Sequence, residues 1–192
     1  MYKPILPLFF TALFLSCSQG AKQTTASPHY SAAVASQCAT AEADVQEAEK
    51  QLRAAYTEVF AWYNRAEKDA SLLQNEPDFD ARYLSVSYLA LKRQVEKTDS
   101  ATVADGMIGF FDSNHWVCGQ DMADLSFTIE EVKATDGGTC CAVVCVNNCN
   151  VQTRLHLPLV CEKGVWKIDD FVTDGASEKQ RMTQYVKEQG RK

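Results

Sequence analysis

From residue 125 to residue 172 apolar and polar side chains alternate, and the alternation breaks only at clusters of turn-forming residues. A period of two sends every other side chain to the same face of a strand. Leu125, Phe127 and Ile129 open the pattern, and Asp136-Gly137-Gly138 predicts a hairpin turn. Residues 139–146 form the second strand, Asn147-Asn148-Cys149-Asn150 a second turn, and residues 151–161 the third strand. Lys163-Gly164 turns the chain into a fourth strand, residues 165–172. Pairing through these turns sets Phe127 against Val146, Ile129 against Val144, Ala142 against Leu155, Cys140 against Leu157, Leu159 against Ile168, and Cys161 against Trp166. Nearly every apolar side chain then shares one face, and a one-residue slip would turn them all outward.

A sheet with one apolar face needs a cover, and the upstream sequence supplies it. Val45, Leu52, Tyr56, Val59, Tyr63 and Ala66 recur at spacings that line one side of a helix running from about residue 40, with Phe60 and Trp62 widening the stripe. Glu42, Glu49, Arg53 and Glu67 occupy the opposite side, where Glu49 and Arg53 make a favourable i, i+4 pair. After Pro77-Asp78 a second helix carries Leu84, Tyr88, Leu91 and Val95 on one face and ends near Thr98. Residues 99–124 show no sustained period, although Met107, Ile108, Phe110, Phe111 and Trp116 are apolar enough to pack. Residues 177–187 form a short helix using Met182, Tyr185 and Val186. The expected class is α+β, with N-terminal helices packed on a C-terminal, curved, four-stranded antiparallel sheet.

Composition suits a globular chain: 46% of residues are apolar and 23% charged. Nineteen Lys and Arg against 25 Asp and Glu give a net charge of −6, which argues against a nucleic-acid partner. In MYKPILPLFFTALFLSC (residues 1–17), Lys3 precedes an apolar run about half as long as the ~20 residues a membrane span needs. It reads as an export signal covering residues 1–16. Ser16-Cys17 resembles the lipobox of bacterial lipoproteins, which implies cleavage before Cys17 and acylation of that residue. By the same resemblance, Ser18 in place of Asp implies the outer membrane, with the domain facing the periplasm. An ordinary secretory signal cut near Ser16 is the alternative, and it leaves a soluble periplasmic protein. Residues 17–38, rich in Ser, Thr, Ala and Gln, read as a flexible tether, and residues 39–192 as a single domain.

Three runs carry a wider resemblance: Val59-Phe60-Ala61-Trp62-Tyr63, Gly119-Gln120-Asp121 after an aromatic-rich loop, and Gly164-Val165-Trp166-Lys167-Ile168-Asp169-Asp170-Phe171. Over roughly residues 50–175 the chain resembles an uncharacterised bacterial envelope family, the domain-of-unknown-function family numbered 3828. Its layout is similar to the nuclear-transport-factor-2-like superfamily. The resemblance implies a sheet curled around a helix into a cone with a pocket. It brings no established catalytic residue.

The expected register places Asp170 on the apolar face beside Trp166 and Ile168 and opposite Leu157. A carboxylate in such surroundings can transfer protons beside a tyrosine, with Tyr63, Tyr56 or Tyr88 as the donor. His115-Trp116 beside Asp112, together with Gln120-Asp121, form the densest polar and aromatic cluster in an irregular segment. That composition suits a ligand or partner site, or equally a plug for the open end of the sheet.

With Cys17 lipidated, seven cysteines remain, an odd number, so in an oxidising compartment at least one stays free or pairs between molecules. Cys141 and Cys145 lie about 13 Å apart on an extended strand, too far for one zinc, and only Cys141 with a cross-strand His156 offers half a site. Cys140 and Cys161 fall on the core face; Cys145 with Cys149, or Cys118 with a sheet cysteine, are the bridge candidates. No metal or cofactor is expected, and no nucleophile elbow, phosphate loop or His-Glu-x-x-His run occurs.

The functional expectation is a membrane-anchored, non-enzymatic envelope lipoprotein that engages a protein partner or small ligand. One alternative is an immunity-type inhibitor of a secreted toxin, whose acidic surface would suit a basic target. The other is a proton-transfer or hydrolytic enzyme centred on Asp170. An interior filled by Phe60, Trp62 and Trp166 favours the scaffold, and a closed apolar cavity holding Asp170 and a tyrosine favours the enzyme.

Overall fold

No glycine or proline interrupts residues 29–66, and in the computed structural model they form one helix, α1 (His29–Ala66). The structure describes residues 29–102 and 109–189. The signal, Cys17, Met107 and Ile108 lie outside the described residues. Helix α1 starts inside the stretch whose composition suggests a tether, because a run of Ala, Ser and Gln without a breaker is as compatible with helix as with coil. Its stripe packs as the spacing predicts: Leu52, Tyr56, Val59, Tyr63 and Ala66 are buried, and Ala48 extends the row.

Asp69 caps a 3-10 helix (Ala70–Asn75), and Asp78 caps the short α2 (Phe79–Tyr83) by accepting the Ala81 N–H at 2.8 Å. Leu84 then runs extended and bridges Ile168 in parallel. The helix expected from Leu84 onward therefore begins at α3 (Val86–Thr102), with Ser85 as its cap, accepting the Tyr88 N–H at 3.0 Å. The four-residue step from Leu84 to Tyr88 mimics a helical spacing while Leu84 serves the sheet.

The sheet contains β1 (Ser126–Thr135), β2 (Thr139–Asn148), β3 (Val151–Glu162), β4 (Val165–Ile168), β5 (Val172–Thr173) and β6 (Ala176–Ser177), and α4 (Glu178–Gln189) closes the chain. It is open and antiparallel, ordered β1-β2-β3-β5-β6, with β4 also on β3. Six strands stand where four are expected, because the fourth breaks after Ile168: Leu159 pairs with Ile168 but His156 with Val172, one more residue on the returning side than on β3. The β1–β2 pairs are those expected up to Ile129, where a bulge lets Val132 join Ile129 on the core side.

Between β2 and β3 the register differs by two residues: Ala142 faces Leu157 and Cys140 faces Leu159. The turn is tighter than its four polar residues suggest, since Asn148 already pairs with Val151 and only Cys149 and Asn150 turn, both at positive φ. A shift of two keeps every side chain on its face, so the expected core survives. It does change neighbours: Cys141 lies beside Pro158, and His156 beside Val143. Cys140 is buried, whereas Cys161, on the same parity, is exposed at the end of β3. Cys118, Cys140, Cys141, Cys145, Cys149 and Cys161 carry free thiols.

Rings fill the interior between helices and sheet. Tyr56 meets Phe60, Trp116 and Phe127 at centroid distances of 5.4, 5.6 and 5.3 Å, and Trp116 meets Phe171 at 5.6 Å. The filling is by Tyr56, Phe60, Trp116 and Phe171; Trp62 packs on Phe79 beneath α2, and Trp166 is half-buried at the β4 edge.

The two-residue turn yields a prediction. A left-handed residue other than glycine carries backbone strain, so Asn150→Gly at the second turn position should raise stability by about 0.5 kcal/mol. Urea unfolding with an unchanged slope and a higher midpoint is the expected result.

Candidate functional site

Side chains from α3 and from the irregular segment converge on Asp80, in the first turn of α2. Its Oδ1 accepts the Trp116 Nε1–H at 2.8 Å and lies 3.0 Å from His115 Nε2, while Oδ2 pairs with Lys92 Nζ at 2.9 Å. Lys92 also reaches Glu96 at 3.1 Å and stands 5.6 Å from the centre of the Phe111 ring. Around this knot lies a cleft of about 530 Å³, lined by residues from the end of α1, α2, α3 and the irregular segment. Tyr63 closes one side: its hydroxyl donates to Glu76 and accepts the Asn114 Nδ2–H at 2.6 Å.

Two asparagines shape the segment that delivers His115 and Trp116. Asn114 exchanges backbone hydrogen bonds with Gly119 and takes the Trp116 N–H on its side chain at 2.8 Å. Asn148, at the end of β2, donates to the carbonyls of Val117 and Asp121 at 3.0 and 2.8 Å and accepts the Ala123 N–H at 3.1 Å. Gly119 makes room for this, since a Cβ there would stand 2.9 Å from the Asn148 amide nitrogen. Asn64 of α1 fixes the exit by bonding both backbone groups of Leu125 at 3.0 Å.

Of the residues singled out in the sequence, His115 and Trp116 line the cleft, whereas Gln120 and Asp121 lie exposed in the Asn148-held loop and do not. Trp116 is only 2% exposed and belongs to the core as much as to the site. Asp80, Lys92, Glu76 and Glu96 are the residues that sequence reasoning missed. Asp80 lies 36 positions from Trp116 in the chain, and nothing periodic links them; the only local signal is the acidic cap after Pro77.

Asp170 has a different setting from a proton-transfer group. It is 8% exposed, accepts the N–H groups of Phe171 and Lys179 at 2.9 and 3.0 Å, and takes the Ser177 hydroxyl. With Ser177 accepting the Gln180 N–H at 3.0 Å, the pair caps α4. Tyr63 bonds Glu76 and Asn114 rather than Asp170, and the buried Tyr88 hydroxyl donates to Glu178 at 2.8 Å. Burial and the carboxylate of Glu76 push the Tyr63 phenol well above its usual range, and burial with Glu178 does the same to Tyr88. Neither phenol is poised to give up a proton near neutrality. Burial likewise pushes the Cys118 thiol up to about 12, which leaves it a weak nucleophile.

Among the described residues no group of three His, Cys, Asp or Glu side chains is placed to hold a metal ion. Carboxylates outnumber basic side chains in the lining of the cleft. Four carboxylates (Glu76, Asp78, Asp80, Glu96) and one ammonium (Lys92) line it beside the rings of Tyr63, Phe79, Phe111 and Trp116.

Burial alone would raise the Asp80 carboxyl, but the His115 hydrogen bond and charge, Lys92 and the Trp116 N–H outweigh it and hold the group well below the usual carboxylate range. A carboxyl lowered on folding supplies stability that is complete above its unfolded value, about 3.9, and is lost as pH falls below it. Urea midpoints measured between neutral pH and about pH 3 should fall toward acid, and Asp80→Asn should be less stable at neutral pH with a shallower acid slope. An unchanged slope in the variant would remove Asp80 from this account.

No protein-family model matches the chain, and no curated protein is similar to it. Among solved structures it is similar to the phospholipid-binding protein from Ralstonia solanacearum, solved in complex with a phospholipid, at 13% sequence identity and a TM-score of 0.32, over 79% of this chain and 97% of that one.

Proposed function

We propose that this protein is a non-enzymatic binding protein of the bacterial envelope, held to the outer membrane by lipid on Cys17, whose periplasmic domain receives a basic segment of a protein partner in the Asp80 cleft. The same reading includes the resemblance to the domain-of-unknown-function family numbered 3828 and to the nuclear-transport-factor-2-like layout. One observation carries it. The ammonium of Lys92 sits between Asp80 and Glu96 over the ring of Phe111, so the cleft already holds one cation of its own. Glu76 and Asp78 add two more carboxylates at its exposed edge, which leaves unneutralised negative charge for a second cation. Aromatic rings beside carboxylates favour Arg and Lys side chains by cation–π contact and charge together.

The filled interior supports a binding role over a catalytic one. Tyr56, Trp116 and Phe171 occupy the space where a cone-shaped enzyme would hold its substrate, and the carboxylate of Asp170 is taken up in capping α4. An immunity-type inhibitor would use the same acidic cleft, with a basic toxin surface as its target.

A hexa-arginine peptide serves as the probe. Calorimetric titration at low salt should show binding that weakens steeply as salt is added, and a hexa-glutamate peptide should not bind. Glu76→Lys with Glu96→Lys should weaken hexa-arginine binding by at least about tenfold. Equal affinity of the wild type and the double variant would reject the cleft as the site.

Anchoring is tested separately. Wild-type cells fed radiolabelled palmitate should incorporate label and carry the protein in the membrane pellet. Cys17→Ser should abolish both, since two or three acyl chains supply the anchoring energy. A Cys17→Ser protein that still pellets with label would refute the lipid anchor.

A further inference from the structure

On the other side of α2 from the Asp80 cleft, α1 and β4 enclose a groove of about 430 Å³. Its floor is apolar, built from Leu52 and Ala55 of α1, Leu159 of β3 and Ile168 of β4, all buried. Ala48, Ala54 and Ala55 of α1 line it together with Trp166, and their short side chains leave its volume open. The polar groups at its edge already have partners: the Trp166 N–H donates to Gln51 Oε1 at 2.8 Å, and Gln51 Nε2 donates to Glu47 at 2.8 Å. Val165 at the rim remains 45% exposed. What the groove offers an occupant is apolar contact.

Its mouth is charged. Arg82 and Lys167 both line it. Arg82 is paired with Glu58, which also accepts the Tyr83 hydroxyl. Lys167 donates to the backbone carbonyl of Arg82 and has no ion pair among the described residues. The mouth therefore carries one uncompensated positive charge, on a chain whose net charge is −6. An uncompensated ammonium at the end of an apolar trough complements one kind of molecule, an aliphatic chain that ends in an anion.

We propose that this groove binds a long-chain fatty acid, with the acyl chain along Leu52, Ala55 and Ile168 and the carboxylate at Lys167. The volume lies near the lower end of the roughly 300–1,000 Å³ typical of small-ligand sites, which suits one acyl chain better than two. The site is separate from the Asp80 cleft, and neither proposal depends on the other.

Full-length protein is titrated with cis-parinaric acid, whose fluorescence rises on leaving water, below its micelle concentration. Saturable one-to-one binding is expected, displaced by palmitate and at least about tenfold less effectively by cetyltrimethylammonium, which has a similar chain and the opposite charge. Lys167→Glu should weaken binding about tenfold. Ala54→Trp, at an exposed position of α1, fills the groove and should abolish binding, with circular dichroism and urea midpoint close to those of the wild type. Absence of saturable binding, equal displacement by the cationic amphiphile, or wild-type affinity in both variants overturns the proposal. Sedimentation without probe decides the other occupant: a wild-type dimer that excludes the probe and dissociates in Ala54→Trp would make the groove a self-association face and overturn it as well.

Discussion

Two adjacent carboxylates at the break after β4 hold the helices that close this fold. Asp169 accepts the hydroxyls of Ser85 and Ser87 at 2.6 and 2.5 Å and pairs with Lys179 at 2.9 Å, so it fastens the start of α3. Asp170 caps the start of α4. Both helices thus point their positive N-terminal ends at one acidic dipeptide on the sheet, the favourable sense for a helix dipole. The Tyr88–Glu178 bond then joins α3 to α4 above it. Tyr88 and Phe171, held in this way, flank His115 at centroid distances of 5.9 and 4.5 Å. The imidazole that faces Asp80 therefore owes its place to a break in a strand many residues further along the chain.

That break also explains which features could be read in advance. Parity was legible: alternation placed Cys140, Ala142, Leu155, Leu157, Leu159 and Ile168 inside, and they are inside. Register was legible only modulo two, because a four-residue turn and a two-residue turn give the same facing and differ only in neighbours. The break itself was hidden. Continuing the alternation through Asp169 and Asp170 puts a carboxylate on the apolar face, a conflict that the chain resolves with one extra residue and two helix caps. An acidic residue at an apolar position of a strand can therefore mark a helix terminus rather than a reactive group.

The site was legible in half. His115 and Trp116 stand out because aromatic and polar side chains crowd an irregular segment, and the cleft does form there. Its other half comes from α2 and α3, where Asp80 and Lys92 look like surface charges in the sequence. Lys92 lies four residues after Tyr88 and three before Val95, beside the apolar row of α3, and nothing in that spacing names Asp80 as its partner; the pairing depends on where Leu84 crosses the sheet edge. Gln120 and Asp121 resemble binding residues by composition, but the Asn148 amide uses that stretch for its backbone carbonyl.

The five residues of α2 divide the two concave surfaces. Asp80 points to the acidic cleft, while Arg82 and Tyr83 line the apolar groove. Two residues along a helix is a rotation of about 200°, so neighbours of opposite charge in the sequence face opposite sides of the molecule. Glu76 and Asp78 make one side negative, and Lys167 makes the other positive, although the chain as a whole is acidic. The bridge from Leu84 to Ile168, with the Ser85 N–H on the Ile168 carbonyl at 2.9 Å, pins the end of α2 to β4. Because that pin is backbone to backbone, the separation of the two sides withstands changes in the charged residues themselves. Each surface can therefore be altered by substitution without moving the other.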